Sequence, residues 1–157
     1  MNATFLSMKN AVIEIVSYLF ILLFFYTGVM KLTDHRNFYF VMDKSHLLYR
    51  FAAILAWVIP ILELAIVACL VVPKWRRVGL YASFILMSVF TIYVAYNAFF
   101  LTHAERPCTC GGIIEQMNWQ QHVVFNACFT GLALCAVLFN KKRAQAPDTG
   151  TANLSLS

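Results

Sequence analysis

The stretch VGLYASFILMSVFTIYVAYNAFFL, residues 78–101, decides the fold, because it contains no charged residue. A helix that crosses the hydrocarbon core of a bilayer needs about 20 mostly apolar residues, and this stretch is long enough. It shows no strand-like alternation of apolar and polar residues, and it is too long for a strand. The sequence therefore predicts a membrane-spanning helix here.

Three further stretches have the length and composition of membrane spans, over about residues 11–30, 51–72 and 119–139. The whole chain agrees, since 61% of its residues are hydrophobic and 12% are charged, against roughly 25% charged in soluble domains. Only helices and closed barrels satisfy the backbone in lipid. We predict an all-α fold, an integral membrane four-helix bundle, in a single domain over residues 11–140.

The two ends of the chain are predicted to lie outside this domain. Residues 1–10 form a short N-terminal segment, and residues 141–157 are small and polar enough to be a disordered tail. The first span is expected to be retained. Its apolar stretch exceeds the roughly 7–15 residues of a signal-peptide core, and no small-residue cleavage site follows it.

The connection between the first two spans, residues 31–50, is too polar to cross a membrane. Apolar residues such as Phe38 are interleaved with charged ones such as Arg36 and Lys44, which is typical of an amphipathic helix lying at the membrane interface. Asp34 is placed to cap such a helix. We predict a short interfacial helix here, and the alternative is an ordered polar loop.

Basic residues predict the orientation of the bundle, because they favour the cytoplasmic side. We predict cytoplasmic termini and outward connections at 31–50 and 102–118. In a bacterium this localisation is the inner membrane, with both connections in the periplasm. The cytoplasmic side collects Lys9, Lys74, Arg76, Arg77, Lys141, Lys142 and Arg143, and the other side collects Lys31, Arg36, Lys44, Arg50 and Arg106.

The connection before the fourth span carries the motif RPCTCGG, residues 106–112. A disulfide between Cys108 and Cys110 would close a very small ring, and a disulfide away from its preferred geometry is more easily reduced. The predicted outward location is oxidising, so disulfides persist there. The motif therefore suits a thiol–disulfide redox pair better than a structural staple.

Neighbouring residues are predicted to support the pair. Arg106 favours the thiolate form of a nearby cysteine, and Gly111 and Gly112 allow the backbone to bend tightly. His103 and His122 flank the pair and could complete a Cys2His2 set, but the spacing matches no common zinc pattern. We predict no metal, and we assign His122 a supporting role.

Three further cysteines, Cys69, Cys128 and Cys135, lie within the predicted spans. A buried free cysteine behaves as a small hydrophobe. Cys128 and Cys135 lie two helical turns apart and share a face of the fourth span. We predict that they pack within the bundle and carry no chemistry.

Glu63 lies in the middle of the second span, one turn after Pro60. A charge at the bilayer centre costs about 2.5–3.5 kcal/mol on insertion scales, and such residues usually face the bundle interior and often mark function. Either the carboxyl is protonated, because burial disfavours its charged form, or it bonds hydroxyls of the third span such as those of Ser83, Ser88 or Tyr93. Two interpretations stay open, a structural bond between helices and a functional group.

The stretch FYTGVMKLTDHRNFYFVMDKSHLLYRFAAILAWVIPILELAIVACLVV, residues 25–72, resembles the DoxX-like membrane proteins. The later PCTCGG, followed by Trp119 and His122, resembles their MauE branch, which carries a Cys-x-Cys loop before its last helix. The resemblance covers about residues 10–140, and Gly111 stands where the branch usually has Phe. The first part rests on Gly28, Lys31, Leu32, Phe38, Phe40, Pro60, Glu63 and Leu64.

The resemblance implies a redox-associated membrane protein of methylamine utilisation, which supports maturation of disulfide-rich periplasmic enzymes such as the small subunit of methylamine dehydrogenase, alongside a thioredoxin-like partner. The four-helix arrangement is also similar to quinone-linked thiol oxidoreductases of the DsbB and vitamin K epoxide reductase kind. Those enzymes usually use two cysteine pairs, whereas residues 31–50 contain no cysteine. Electrons are expected to pass between Cys108–Cys110 and either a quinone cofactor or the thiols of a partner.

Two other functions stay open. The cysteines would form a static bridge in a non-catalytic assembly or scaffold subunit of a membrane complex. Alternatively, the protein handles a small ligand or protons at Glu63. The expected partners are the lipid bilayer and a thioredoxin-like or disulfide-rich periplasmic protein, and no nucleic acid is expected.

Overall fold

Four long helices and one short helix make up the described part of the chain. The computed structural model describes the backbone of residues 2–45, 47–100 and 119–144, and the side chains of residues 11–45, 47–100 and 120–140. In chain order the elements are α1 (Asn2–Thr33), α2 (His35–Asp43), a 3-10 turn (Tyr49–Phe51), α3 (Ala52–Val71), α4 (Arg76–Phe100) and α5 (Trp119–Ala144).

Each long helix contains a segment that is long and apolar enough to cross a bilayer. No strand occurs in the three described backbone ranges, so the predicted all-α four-helix membrane fold is confirmed. The first segment continues past Met30 to Thr33, because Lys31 is buried within the bundle and does not end the span. The four segments are Ala11–Thr33, Tyr49–Val71, Arg76–Phe100 and Gln120–Asn140.

The long helices form a ring. Both α1 and α4 pack against α3 and α5, and the up-and-down connectivity makes ring neighbours antiparallel. We call the end where α1 and α4 finish and α3 and α5 begin the α2 end. The central core contains Phe20, Phe24, Leu70, Leu80 and Met87, all buried. The outer faces are also apolar, as membrane-spanning helices require.

Two glycines allow the helices of the ring to approach closely, as small residues commonly do between membrane helices. A Cβ atom added to Gly28 would lie 3.2 Å from Cγ of Leu64, which packs α1 onto α3. A Cβ atom on Gly79 would lie 2.8 Å from Cδ2 of Leu70 and 3.0 Å from its backbone nitrogen. The turn between α3 and α4 therefore has no room for a side chain at Gly79.

Helix α2 is the predicted short helix between the first two spans, and it is confirmed. It buries Phe38, Val41 and Met42 and packs against the start of α3 at Ala52 and Ala56. Its exposed residues are Arg36, Asn37, Phe40 and Asp43, so the outer face is mainly polar and carries one aromatic ring. Asp34 occupies the N-cap position, but its side chain makes no capping hydrogen bond.

The packing predicted for two cysteines is wrong. Cys128 and Cys135 are free and exposed on the outside of α5, while Cys69 is half-buried. The side of α5 that faces the bundle carries Ala133 and Ala136 instead. Because α5 is apolar around its whole circumference, the sequence contains no amphipathic signal for its buried face.

Candidate functional site

A buried ion pair joins α1 to α3 near the α2 end. The Lys31 ammonium lies close to the last turn of α1 and donates to Oε1 of Glu63, which lies in the middle of α3. Their exposed fractions are 7% and 2%. Charges within the hydrophobic part of a membrane protein usually pair with one another, and Lys31 balances the charge of Glu63.

Aromatic rings surround the Lys31 ammonium. Its Nζ lies 5.0 Å from the ring centroid of Phe90 on α4 and 5.5 Å from that of Phe38 on α2. The face of an aromatic ring attracts a cation at this distance. One side chain therefore contacts three other helices, α2, α3 and α4.

The prediction that Ser83 or Ser88 bonds Glu63 is wrong. Ser83 and Ser88 donate to carbonyl oxygens of their own helix, at Gly79 and Phe84, over 2.7 Å in each case. Such bonds to the preceding turn satisfy a hydroxyl within its own helix. A lysine from a neighbouring helix supplies a full opposite charge in place of the expected hydroxyl.

A small cavity adjoins the ion pair. Its volume is about 60 Å³, and its lining comes from α1, α3, α4 and α5. The polar groups in this lining are Thr27, Lys31, Glu63, His122 and Asn126. His122 and Asn126 lie in the first turns of α5, so the cavity connects the ion pair to the start of that helix.

A larger apolar groove lies on the other side of Lys31. Its volume is about 520 Å³, and α2, α3 and α4 supply most of its walls. Lys31 and Tyr93 are the polar side chains in a lining that is otherwise apolar. Tyr93 also connects α4 to the end of α2 through a 3.0 Å hydrogen bond with Ser45. Lys31 and Phe90 line both spaces and separate them.

The profile of a family described as "Methylamine utilisation protein MauE" matches residues 9–139. The chain belongs to the MauE family. It is therefore a membrane protein related to methylamine utilisation, and the expected MauE resemblance is confirmed. Comparison with curated proteins and with solved structures finds no match. Placement of MauE proteins among the DoxX-like proteins stays a prediction.

The structure brings together two of the predicted site residues of this MauE family member. Glu63 and His122 line the same cavity, although they come from α3 and α5. Cys108, Cys110 and Arg106 lie outside the described residues, as do Gly111 and Gly112. Among the residues that the structure describes, no group of three or more His, Cys, Asp or Glu side chains is placed to hold a metal ion.

Lys31 is the site residue that sequence reasoning missed in this role. The sequence presents it as a flanking charge and as part of the Lys-Leu motif, because it stands at the end of the first apolar run. A signal was present, since the uncompensated Glu63 requires a partner and Lys31 directly follows one apolar run, as Arg50 directly precedes another.

Proposed function

We propose that this MauE family member is a membrane thiol–disulfide redox protein that supports disulfide formation or maturation of a partner outside the cytoplasm, through Cys108 and Cys110. The proposal rests on the position of the cysteine-bearing segment between α4 and α5. The segment that holds both cysteines joins Phe100, at the end of α4, to Trp119, at the start of α5. The cysteines are thus tethered to the α2 end, where the buried ion pair and His122 also lie.

The proposed reaction is a dithiol–disulfide exchange. A thiolate of the partner attacks one sulfur of the Cys108–Cys110 disulfide, the S–S bond breaks, and the leaving sulfur takes up a proton. The second thiolate of the partner then attacks the mixed disulfide, and the released sulfur takes up another proton. The partner loses two electrons and two protons, and both cysteines finish as thiols.

The pair must then be reset by a two-electron acceptor, either a quinone or the disulfide of a second protein. A bound quinone would supply a two-electron, two-proton acceptor. The apolar groove fits an isoprenoid quinone, because its walls suit a hydrocarbon chain and its volume is about 520 Å³. Lys31 and Tyr93 would hold the ring, since their polar groups are hydrogen-bond donors at the groove wall.

The proposed orientation places the α2 end outside the cytoplasm and both termini inside, in a bacterial inner membrane. The distribution of basic residues supports this orientation, because Lys74, Arg76 and Arg77 cluster at the opposite end. The cysteines would then face an oxidising compartment. The proposed partner is a thioredoxin-like or disulfide-rich protein of that compartment.

Trapping of the mixed disulfide tests the proposal. Cys108→Ser and Cys110→Ser should each leave one reactive sulfur, and at least one variant should accumulate a covalent complex that a reducing agent dissolves. Cys128→Ser and Cys135→Ser are matched controls, because these two thiols are exposed outside the bundle, and neither should trap a partner.

Two other outcomes would contradict thiol exchange at Cys108 and Cys110. If neither loop variant traps a protein and both support normal maturation of the client, the cysteines do not exchange. If neither variant traps a protein but both lower the amount of the assembled membrane complex, Cys108 and Cys110 form the structural bridge of a scaffold subunit.

A further inference from the structure

The second carboxylate oxygen of Glu63 has no protein partner among the described residues. Oε1 accepts from Lys31, whereas Oε2 is buried without a hydrogen bond. The Thr27 hydroxyl lies beside this carboxylate, but its single proton is already engaged, because it donates over 3.0 Å to the backbone carbonyl of Leu23. A buried charged oxygen without a partner is costly, and native structures usually satisfy it with ordered water.

We infer that the small cavity is a hydration site, in which a few ordered waters bond Oε2 of Glu63 and connect the ion pair to His122 and Asn126. A water needs about 10–15 Å³ of such space and two to four polar partners. The cavity offers about 60 Å³ and a lining with five polar side chains. Both requirements are met beside the oxygen that needs a donor.

The charges and the size of the cavity favour water over other occupants. Lys31 and Glu63 together are neutral, so neither an added cation nor an added anion would find an uncompensated charge. The volume is too small for a quinone or a lipid chain, which the groove beyond Lys31 could accommodate. A small neutral molecule that both donates and accepts hydrogen bonds remains, and water has this chemistry.

The waters would form a route for protons between the start of α5 and Lys31, whose side chain borders the apolar groove. This role rests on the proposed function, since each dithiol–disulfide cycle moves two protons at the α2 end. Hydration of the cavity does not rest on it. The two claims therefore need separate readouts.

Radiolytic hydroxyl-radical footprinting tests the hydration directly, because radicals formed from bound water oxidise the adjacent side chains. Met87 lines the cavity, and Met42 lines the apolar groove. Both methionines are 3% exposed, so they form a matched pair. The Cys108→Ser/Cys110→Ser protein in nanodiscs, with no thiol exchange at the loop, should show faster oxidation of Met87 than of Met42. Equal or slower oxidation of Met87 would overturn the hydration site.

Two isosteric variants test whether the waters matter. Thr27→Val and Asn126→Leu remove polar groups from the lining, and each should lower the oxidation of Met87 several-fold. Thr33→Val is the control, because Thr33 is exposed, donates to carbonyls of its own helix at Val29 and Met30, and does not line the cavity. Unchanged oxidation in both cavity variants would contradict the proposal.

A second readout concerns the protons. In the protein with all its cysteines, the Asn126→Leu variant should slow the reduction of the loop disulfide and increase its solvent deuterium isotope effect, whereas Thr33→Val should leave both unchanged. A hydrated cavity with no change in rate or isotope effect would overturn the proton route alone. A protein without loop thiol exchange would overturn the proposed function and leave the hydration result standing.

Discussion

The Lys31 ammonium near the end of α1 bonds the Glu63 carboxylate in the middle of α3, and both groups are buried. The pair lies between a small cavity lined in part by polar side chains and a large apolar groove, and the Phe38 ring of α2 contacts the ammonium. The Lys31 side chain therefore connects α1 to α2, α3 and α4 at the end of the bundle where the cysteine-bearing segment begins.

Replacing one residue of the Lys31–Glu63 pair should lower the free energy of unfolding more than replacing both residues. Removal of one partner of a buried ion pair typically costs about 3–5 kcal/mol, whereas replacement of both by apolar residues is often neutral. Lys31→Met and Glu63→Leu should each lower the unfolding free energy by such an amount, and the double variant should recover most of the loss. Reversible unfolding in mixed micelles gives the unfolding free energy of the wild type, the two single variants and the double variant.

Glu14→Gln is the control for this cycle. Glu14 also lies within a span but is exposed, so its neutralisation should change the unfolding free energy by about 0.5 kcal/mol or less. Strictly additive losses at Lys31 and Glu63 would show that the two side chains do not form an energetically coupled pair.

The close contact of α3 with α4 should make Gly79 intolerant of a side chain. Gly79→Ala would force its Cβ against the side chain and backbone of Leu70, and overpacking of this kind costs about 1–3 kcal/mol. Gly131→Ala is the matched control, because a Cβ there meets nothing within 4 Å. Thermal unfolding should show a lower midpoint for Gly79→Ala, and an unchanged or higher midpoint for Gly131→Ala. Equal midpoints would contradict the packing described for the α3–α4 turn.

The length of the apolar stretches in the sequence predicts much of the fold. Residues 78–101 are too long and too apolar for another interpretation, and helix α4 occupies nearly the same stretch. The short amphipathic α2 was predictable for a different reason, because Phe38 and Met42 lie on one face while Arg36 and Lys44 lie away from it. In both cases a local pattern in the sequence determines the element.

The partners within the bundle were less predictable. Apolar residues surround α3 and α5 on every side, so periodicity does not show which face is buried. For this reason the outward position of Cys128 and Cys135 and the pairing of Glu63 with Lys31 were both missed. The sequence indicates Glu63 and His122 as site residues, and the structure places both at one cavity. Their proximity depends on the order of the helices in the ring, which the sequence pattern does not show.

The Ser45–Tyr93 hydrogen bond should anchor the end of α2. A typical hydrogen bond contributes about 0.5–1.5 kcal/mol, so Ser45→Ala should raise amide hydrogen exchange in α2 by roughly two- to tenfold. Ser88→Ala should leave exchange in α2 unchanged, because Ser88 bonds a carbonyl of its own helix. Mass spectrometry of the exchanged peptides compares the two variants. Similar exchange of α2 in wild type and Ser45→Ala would show that other contacts hold this helix.

If a quinone is the electron acceptor, the apolar groove should be needed for reoxidation of Cys108 and Cys110 to the disulfide. Ala82 lines the groove on α4, and Ala82→Phe would fill part of it. Ile92 is 69% exposed on the same helix, so Ile92→Phe adds bulk outside the bundle. Quinone-dependent reoxidation of the reduced protein in nanodiscs should be slowed by Ala82→Phe and not by Ile92→Phe, while mixed disulfides still form in both.

A different result would identify the other acceptor. If the loop cysteines of the Ala82→Phe variant are reoxidised by added quinone as fast as those of the wild type, the quinone does not act from the groove. If wild type reoxidises only when a disulfide-bearing protein is added, the acceptor is that protein and the groove has another occupant.

The most direct test of the central claim is the redox state of Cys108 and Cys110 in native membranes. Cells are quenched with acid, free thiols are alkylated, and the loop peptide is quantified by mass spectrometry. The account predicts a mixture of disulfide and dithiol forms, with the dithiol fraction rising when the client is overproduced, while Cys69, Cys128 and Cys135 stay free as they are in the structure. A loop peptide that stays fully oxidised or fully reduced, whatever the amount of client, would contradict the redox function.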